Sequence, residues 1–381
     1  MQRLCDGSQR FIKHIAQLSR RMGEMSCAGE ALATATDARP SCCMTSPDQR
    51  AERGLALLQQ AISAGRIPGG VIGVLDLATG ARAVRAEGSA QLVPDRREMR
   101  VDSIFDLASV TKPVFTATQL LRLVEAGRIG LDDTLASVIP DLRQYDVAGA
   151  AERRLTFRQC LAHQTQLPPV WPVYTYGDDP DRLRAFILQC RWIGADPGPV
   201  AYSDINYMLL GIARERLHDK PLIAIDPGPG FSFCPDPALC AATEHCRWRG
   251  RVICGQVHDE NAYALGGAAG HAGLFGTADA LLDYAADLMG GRLLGDAMRA
   301  EMFRRHGQTR TVGWEAMGAG WLGGDRCSPA SIGHTGFTGT GLWIDPESGL
   351  SWVLLTNRVH PSRHTESGIA TLRRAVGAAV V

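Results

Sequence analysis

Ser109 and Lys112 stand three residues apart in the stretch Phe105-Asp106-Leu107-Ala108-Ser109-Val110-Thr111-Lys112-Pro113. There a strand-like segment gives way to an amphipathic pattern. Beyond it, apolar residues fall at Val114, Phe115, Leu120, Leu121 and Val124, close to helical spacing, and Gly127 offers a stop. Pro113 fits a helix only in the first turn, where its missing N–H is not needed. The helix is therefore expected to begin between Ser109 and Thr111. Ser109 then sits at the positive end of the helix dipole, among unpaired backbone N–H groups. Lys112 lies one turn on, on the same face. A hydroxyl beside an amine at such a place can be an activated nucleophile. The same residues also fit an ordinary N-cap serine with a solvated lysine. Partners from elsewhere in the chain must decide between the two.

Two further stretches supply such partners. One is Tyr202-Ser203-Asp204, at the start of the helical pattern Ile205-Asn206-Tyr207-Met208-Leu209-Leu210-Gly211. The other is His334-Thr335-Gly336, on a late strand. Their order, at spacings of about 90 and 130 residues, matches the set found in serine penicillin-recognising enzymes, with variant residues in the second and third stretches. At this point the sequence resembles the serine β-lactamase and penicillin-binding-protein family. It is most similar to the branch of class C β-lactamases, family VIII carboxylesterases and D-aminopeptidases. The resemblance runs from about residue 50 to the end. It takes in Val257-His258-Asp259-Glu260-Asn261-Ala262, Gly270-His271-Ala272-Gly273-Leu274-Phe275 and His334-Thr335-Gly336-Phe337-Thr338-Gly339-Thr340.

The resemblance implies a set of roles. Ser109 attacks a carbonyl and forms an acyl-enzyme. Lys112 and Tyr202 transfer the protons, with the lysine expected to depress the pKa of the phenol. The backbone N–H groups of Ser109 and of Phe337, the latter on an edge strand, form the oxyanion hole. Asp204, His334, Thr335 and Gly336 bind substrate. No metal or other cofactor is implied. The expected substrate is a small ester, peptide or β-lactam.

Three departures bear on the substrate. Asp204 stands where β-lactamases have asparagine. His334 stands where they have lysine, and a histidine binds a carboxylate as a cation only when protonated. Gln166 replaces the usual glycine in His163-Gln164-Thr165-Gln166-Leu167-Pro168. The first two changes favour an esterase or D-amino-acid peptidase, with a β-lactamase or D,D-carboxypeptidase of the penicillin-binding type as the alternative, and the third implies a differently shaped loop. No Gly-x-Ser-x-Gly occurs, which argues against an α/β-hydrolase elbow. A binding protein that keeps the pocket without catalysis is the rival class, and the intact serine, lysine and tyrosine argue against it.

The elements that must position these residues follow in order. Residues 1–47 are small and polar and read as a loosely attached extension. A helix over 51–64 and a hairpin of strands over 69–76 and 81–88 follow. Residues 131–135 open a helix, and Thr156 caps another over 155–163. Residues 165–180 form an aromatic loop, with helices over 181–190 and 278–289 after it. The end turns to strands at 320–322, 331–335, 341–345 and 350–357, then a closing helix over 371–380. The hairpin and the late strands share one sheet. The expected fold is α+β and two-lobed: β-lactamase/transpeptidase-like, with an antiparallel sheet flanked by terminal helices plus an all-helical lobe. The sheet lobe spans about 48–108 and 300–381, and the helical lobe about 109–299. The site should lie where the lobes meet.

Composition agrees. In 381 residues, 45% are apolar and 40 basic residues balance 40 acidic ones, which favours neither nucleic acid nor an anionic membrane. No stretch is long enough for a membrane span. The odd count of 11 cysteines and the lack of an early apolar run lead us to expect a cytoplasmic protein. Cys234, Cys240, Cys246 and Cys254 are spaced unlike any usual zinc site. His271 is expected to hold its glycine-rich turn near the cleft, and His163 to bond loop backbone. The glycine run is no dinucleotide fingerprint, because no βαβ unit surrounds it.

Overall fold

A computed structural model of the chain describes residues 45–194 and 200–381. The extension read over 1–47 lies outside the described residues up to position 44. The first described element is helix α1 (Pro47–Ser63), opened by a capping box between Ser46 and Gln49 with Pro47 in the first turn.

One sheet organises the chain. Its seven strands are β1 (Gly69–Asp76), β2 (Arg82–Gln91), β3 (Arg97–Glu98), β4 (Glu315–Ala316), β5 (Ile332–Thr335), β6 (Gly341–Asp345) and β7 (Leu350–Thr356). They lie in the order β3-β2-β1-β7-β6-β5-β4, with every pair antiparallel. β1 pairs with β7 in the register Ile72 to Leu354. Both of these central strands are apolar almost throughout because both sheet faces are covered. Ile72, Val74, Trp352 and Leu354 meet α1 and the closing helix Ile369–Val380 on one face. Val71, Leu75, Val353 and Leu355 join the main core on the other, under the helix Ala278–Met289. The alternation follows from the two-residue period of a strand. Trp343 and Trp352 are fully buried and stack with ring centroids 6.0 Å apart. Burial of each large apolar side chain contributes roughly 1.5–3 kcal/mol.

The closing helix fits its neighbour with no room to spare. A Cβ at Gly377 would stand 1.8 Å from the Gly323 carbonyl oxygen. Gly377→Ala is therefore expected to cost about 1–3 kcal/mol by forcing the helix outward. A urea titration reads this as a lower midpoint, and an unchanged midpoint would show the contact to be slack.

The structure corrects three local expectations. Residues 320–322 are not a strand. The edge is β4, at Glu315–Ala316, and Gly320 takes a left-handed turn (φ 82°). The helix expected from 131–135 is only a short 3₁₀ turn, Leu135–Ser137, cut off by Pro140. The lobe expected to be all helical also holds two small sheets. One joins Phe105–Asp106, Phe275–Gly276 and Phe231–Ser232. It ties the segment before Ser109 to the end of the glycine-rich run. No described helix is long and apolar enough to cross a membrane.

Candidate active site

Ser109 sits in a 3₁₀ turn (Ala108–Val110) that runs through a wide turn (Lys112–Ala117) into helix α2 (Thr118–Glu125). The residue before it, Ala108, has φ 47°, a left-handed conformation costly for a side chain with a Cβ. The surroundings hold it there. Buried Asp106 accepts the Ala108 N–H at 2.9 Å and the His258 N–H at 2.6 Å. Burial pushes the Asp106 carboxyl pKa up, and those two N–H bonds oppose the rise. Thr338 donates to the Asp106 carbonyl (2.7 Å) and Thr340 to the Leu107 carbonyl (3.0 Å). A Cβ at Gly336 would be 2.5 Å from the Leu107 oxygen. The Thr-Gly-Phe-Thr-Gly-Thr segment is thus built to grip the backbone just before Ser109.

Lys112 is fully buried. Its Nζ lies 2.9 Å from Ser109 Oγ, 2.8 Å from Asp204 Oδ1 and 3.2 Å from the His271 carbonyl oxygen. Asp204 opens helix α3 (Asp204–His218), and its N–H is tied to the Pro169 carbonyl. The Tyr202 ring centroid is 4.9 Å from Nζ. His163 and His334 flank that ring at 4.4 and 6.0 Å. Burial lowers the lysine pKa, but Asp204 and Tyr202 outweigh it and the net shift is upward. The Tyr202 pKa also rises: burial raises it, Lys112 opposes, and Asp204 raises it again. The expected depression of the phenol is therefore corrected. Burial outweighs the field of the lysine, and the carboxylate beside the lysine adds to the rise.

Asp204 also differs from its expected place. Its side chain is 17% exposed and faces Lys112, while the open cleft is lined by other residues. These include Ser109, Tyr202, His334, Thr335, Gly336 and Phe337, around a volume of about 360 Å³. His334 Nδ1–H donates to the Thr335 carbonyl oxygen at 3.0 Å. Burial, with Lys112 and Arg310 nearby, holds the His334 pKa well below the usual histidine range. It is a neutral wall, not a cationic carboxylate ligand. Phe337 lies in the turn after β5, not on an edge strand. Its N–H has no hydrogen-bond partner among the described residues, while its carbonyl accepts from Arg358.

Cations missed in the sequence also line the cleft. Arg310 lies over the Tyr202 ring at 5.1 Å and makes no side-chain hydrogen bond or ion pair among the described residues. Arg373, buried on the closing helix, donates to the Gly336 and Thr340 carbonyls and leaves its Nε unpartnered. The nearby carboxyl is Glu315, whose pKa burial raises against Arg310 and Arg373. Arginines carry no local motif, so only the fold brings these together.

The remaining candidates are structural. His271 Nε2 meets Asp259 Oδ1 at 2.9 Å while its carbonyl holds Lys112. His163 Nδ1 accepts the Ser203 N–H at 3.1 Å. Asn261 anchors the aromatic loop through the Tyr174 N–H and the Trp171 carbonyl. Among the described residues no cluster of three or more histidine, cysteine or acidic side chains could hold a metal.

Comparison with known proteins places this geometry. A family model described as "Beta-lactamase" matches residues 55–376. The chain is 30% identical over 320 residues to an N-acetylmuramyl-L-alanine amidase of Bacillus subtilis (strain 168), covering 72% of each. It is 32% identical over 305 residues to a provisionally named D-alanyl-D-alanine carboxypeptidase of Salmonella agona (strain SL483), covering 68% of this chain and 70% of that one. A class C beta lactamase from Rhodobacter sphaeroides shares the fold, with a TM-score of 0.64 at 20% identity over 84% of this chain and 98% of that one.

Proposed function

The chain belongs to the Beta-lactamase family and is a serine hydrolase of that family, and we propose that Ser109 is its nucleophile. The observation that carries this is the 2.9 Å contact between Ser109 Oγ and the buried Lys112 Nζ at the floor of an open cleft. Oγ attacks a carbonyl carbon and forms an ester with the acyl group. The oxyanion is received by the N–H groups of Ser109 and Phe337. The leaving group departs with a proton, and water releases the acyl group. Tyr202, with its phenol protonated, stands at the mouth where it can deliver that proton. A fluorophosphonate probe tests the assignment. It should label the protein once, at Ser109; no label, or a label that persists in Ser109→Ala, would overturn it.

The cations of the cleft support a narrower reading. Among the described residues Arg310 lacks a side-chain partner, and Arg373 has a spare N–H. With His334 neutral, Arg310 is the group best placed to hold a substrate carboxylate. The substrate is then an ester or amide bearing a carboxylate near the bond cleaved, as in D-amino-acid peptides. The carboxypeptidase name of one relative fits the D-peptide class, and the amidase name of the other fits cleavage of an amide. A hydrogen bond to a charged group contributes about 1.5–3 kcal/mol. Arg310→Ala should lower kcat/KM for a carboxylate-bearing D-peptide about 10–100-fold and leave a neutral p-nitrophenyl ester nearly unaffected. Equal losses on both substrates would remove Arg310 from recognition.

A further inference from the structure

Lys112 Nζ has three close acceptors: Ser109 Oγ, Asp204 Oδ1 and the His271 carbonyl oxygen. An ammonium has three N–H donors and no lone pair. Two hydrogen bonds and an ion pair to a carboxylate are the surroundings of an ammonium. Such a group can accept the Ser109 proton only as it gives one up. Of its three acceptors, the carbonyl is no base and Ser109 is the proton's source. Asp204 Oδ1 alone can take it. That oxygen approaches Nζ as an ion pair and has no hydrogen-bond partner among the described residues, so its lone pairs are open to a proton. Asp259, the next carboxylate, is occupied by His271 and by the Ala262 N–H.

Resting on the reading of Ser109 as nucleophile, we propose that Asp204 is the proton acceptor of acylation, working through Lys112. As Oγ bonds to the carbonyl carbon, its proton moves to Nζ and an Nζ proton moves to Asp204 Oδ1. Lys112 stays an ammonium, and the carboxylate charge is replaced by the oxyanion. When the tetrahedral intermediate collapses, the bond to the leaving group breaks. The proton on Asp204 returns through Lys112 to the leaving group, directly or by way of Tyr202. The sum is an acylated Ser109 and a protonated leaving group. Asp204 touches no substrate atom in this scheme and is a positioning and relay residue.

Other groups around Lys112 are not placed to take its proton. Tyr202 and Tyr207 face it, and burial raises the pKa of both. His163 and His334 face it as well, and burial keeps both neutral. Asp259 is held low by His271 and its N–H bond against the cost of burial. His271 offers only its carbonyl, and Arg310 is a cation, 5.1 Å from the centre of the Tyr202 ring.

The test is the pH profile of ester hydrolysis, with fluorophosphonate labelling run beside it. The wild type should keep a level activity through neutrality. Asp204→Asn keeps the shape but cannot take the proton. Acylation must then wait for a neutral lysine, so activity at pH 7 should fall about 10²–10³-fold and return as pH rises into the alkaline range. Asp204→Glu should keep a profile of wild-type form. If Asp204→Asn does not fold, Asp204→Ser is held to the same expectation. A variant profile that parallels the wild type, with only its height changed, overturns the relay. Failure to label Ser109 even in the wild type would instead overturn the nucleophile.

Discussion

Ser109→Ala is expected to abolish covalent labelling and to lower kcat/KM by roughly 10⁴–10⁶-fold, the scale on which loss of a serine nucleophile is felt. The protein should fold as before. Ser109 lies on a turn whose shape is set by others: Asp106 holds the Ala108 N–H, and Thr338 and Thr340 hold the carbonyls before it. Removing the hydroxyl leaves those bonds in place and takes one acceptor from Lys112. The thermal midpoint should therefore move little while activity vanishes. Stopped-flow acylation and a melting curve on the same sample separate the two. A variant that keeps more than about a tenth of the activity would mean that another group attacks, or that water does so unaided.

Lys112→Met should lose activity by about 10²–10⁴-fold, the range of general acid–base assistance, and should also lose stability. The methionine keeps the stem's bulk but strands Asp204 beside a buried apolar group. Breaking a buried ion pair on one side costs about 3–5 kcal/mol, and Asp204 is only 17% exposed. The double variant Lys112→Met/Asp204→Asn removes the stranded charge. It should recover most of the urea midpoint and none of the activity. Asp204→Asn alone should regain activity in the alkaline range and the double variant should not, which distinguishes a lysine needed for chemistry from one needed only for packing. If the double variant regains activity with its stability, Lys112 has no part in proton transfer.

The elements nearest the site were legible where one residue type has one use. Strands over 69–76 and 341–345 and the helix over 278–289 showed as continuous or periodic apolar runs. The structure places them at Gly69–Asp76, Gly341–Asp345 and Ala278–Met289. Ser109, Lys112, Tyr202 and His334 were named from type and order, and the fold brings them to one cleft. Asp204 was named with the wrong neighbour. Whether its carboxylate faces substrate or lysine depends on how α3 is set against the Ser109 helix, and local pattern does not encode that. Arg310, Arg373, Asp106 and the threonine pair were missed for a related reason. Each works through a contact with a remote segment, as when Arg373 on the closing helix reaches the Gly336 carbonyl. The phenol was misread because its pKa is set first by burial and then by the charges of Lys112 and Asp204 together, and spacing shows neither burial nor a third charge.

The pairing of β1 with β7 has a consequence for biosynthesis. Ile72 leaves the ribosome early, and its partner Leu354 is made about three quarters of a chain later. Until then β1 has the hairpin with β2 but neither its second neighbour nor the closing helix. The threonines that grip the Ser109 turn also come late. A nascent chain can therefore carry its serine and lysine for most of translation without a working cleft. Contacts so distant in sequence also make for slow closure. The exposed apolar face of β1 would then be a natural point for a chaperone to act, and hydrolytic competence should arise only in the last step of synthesis.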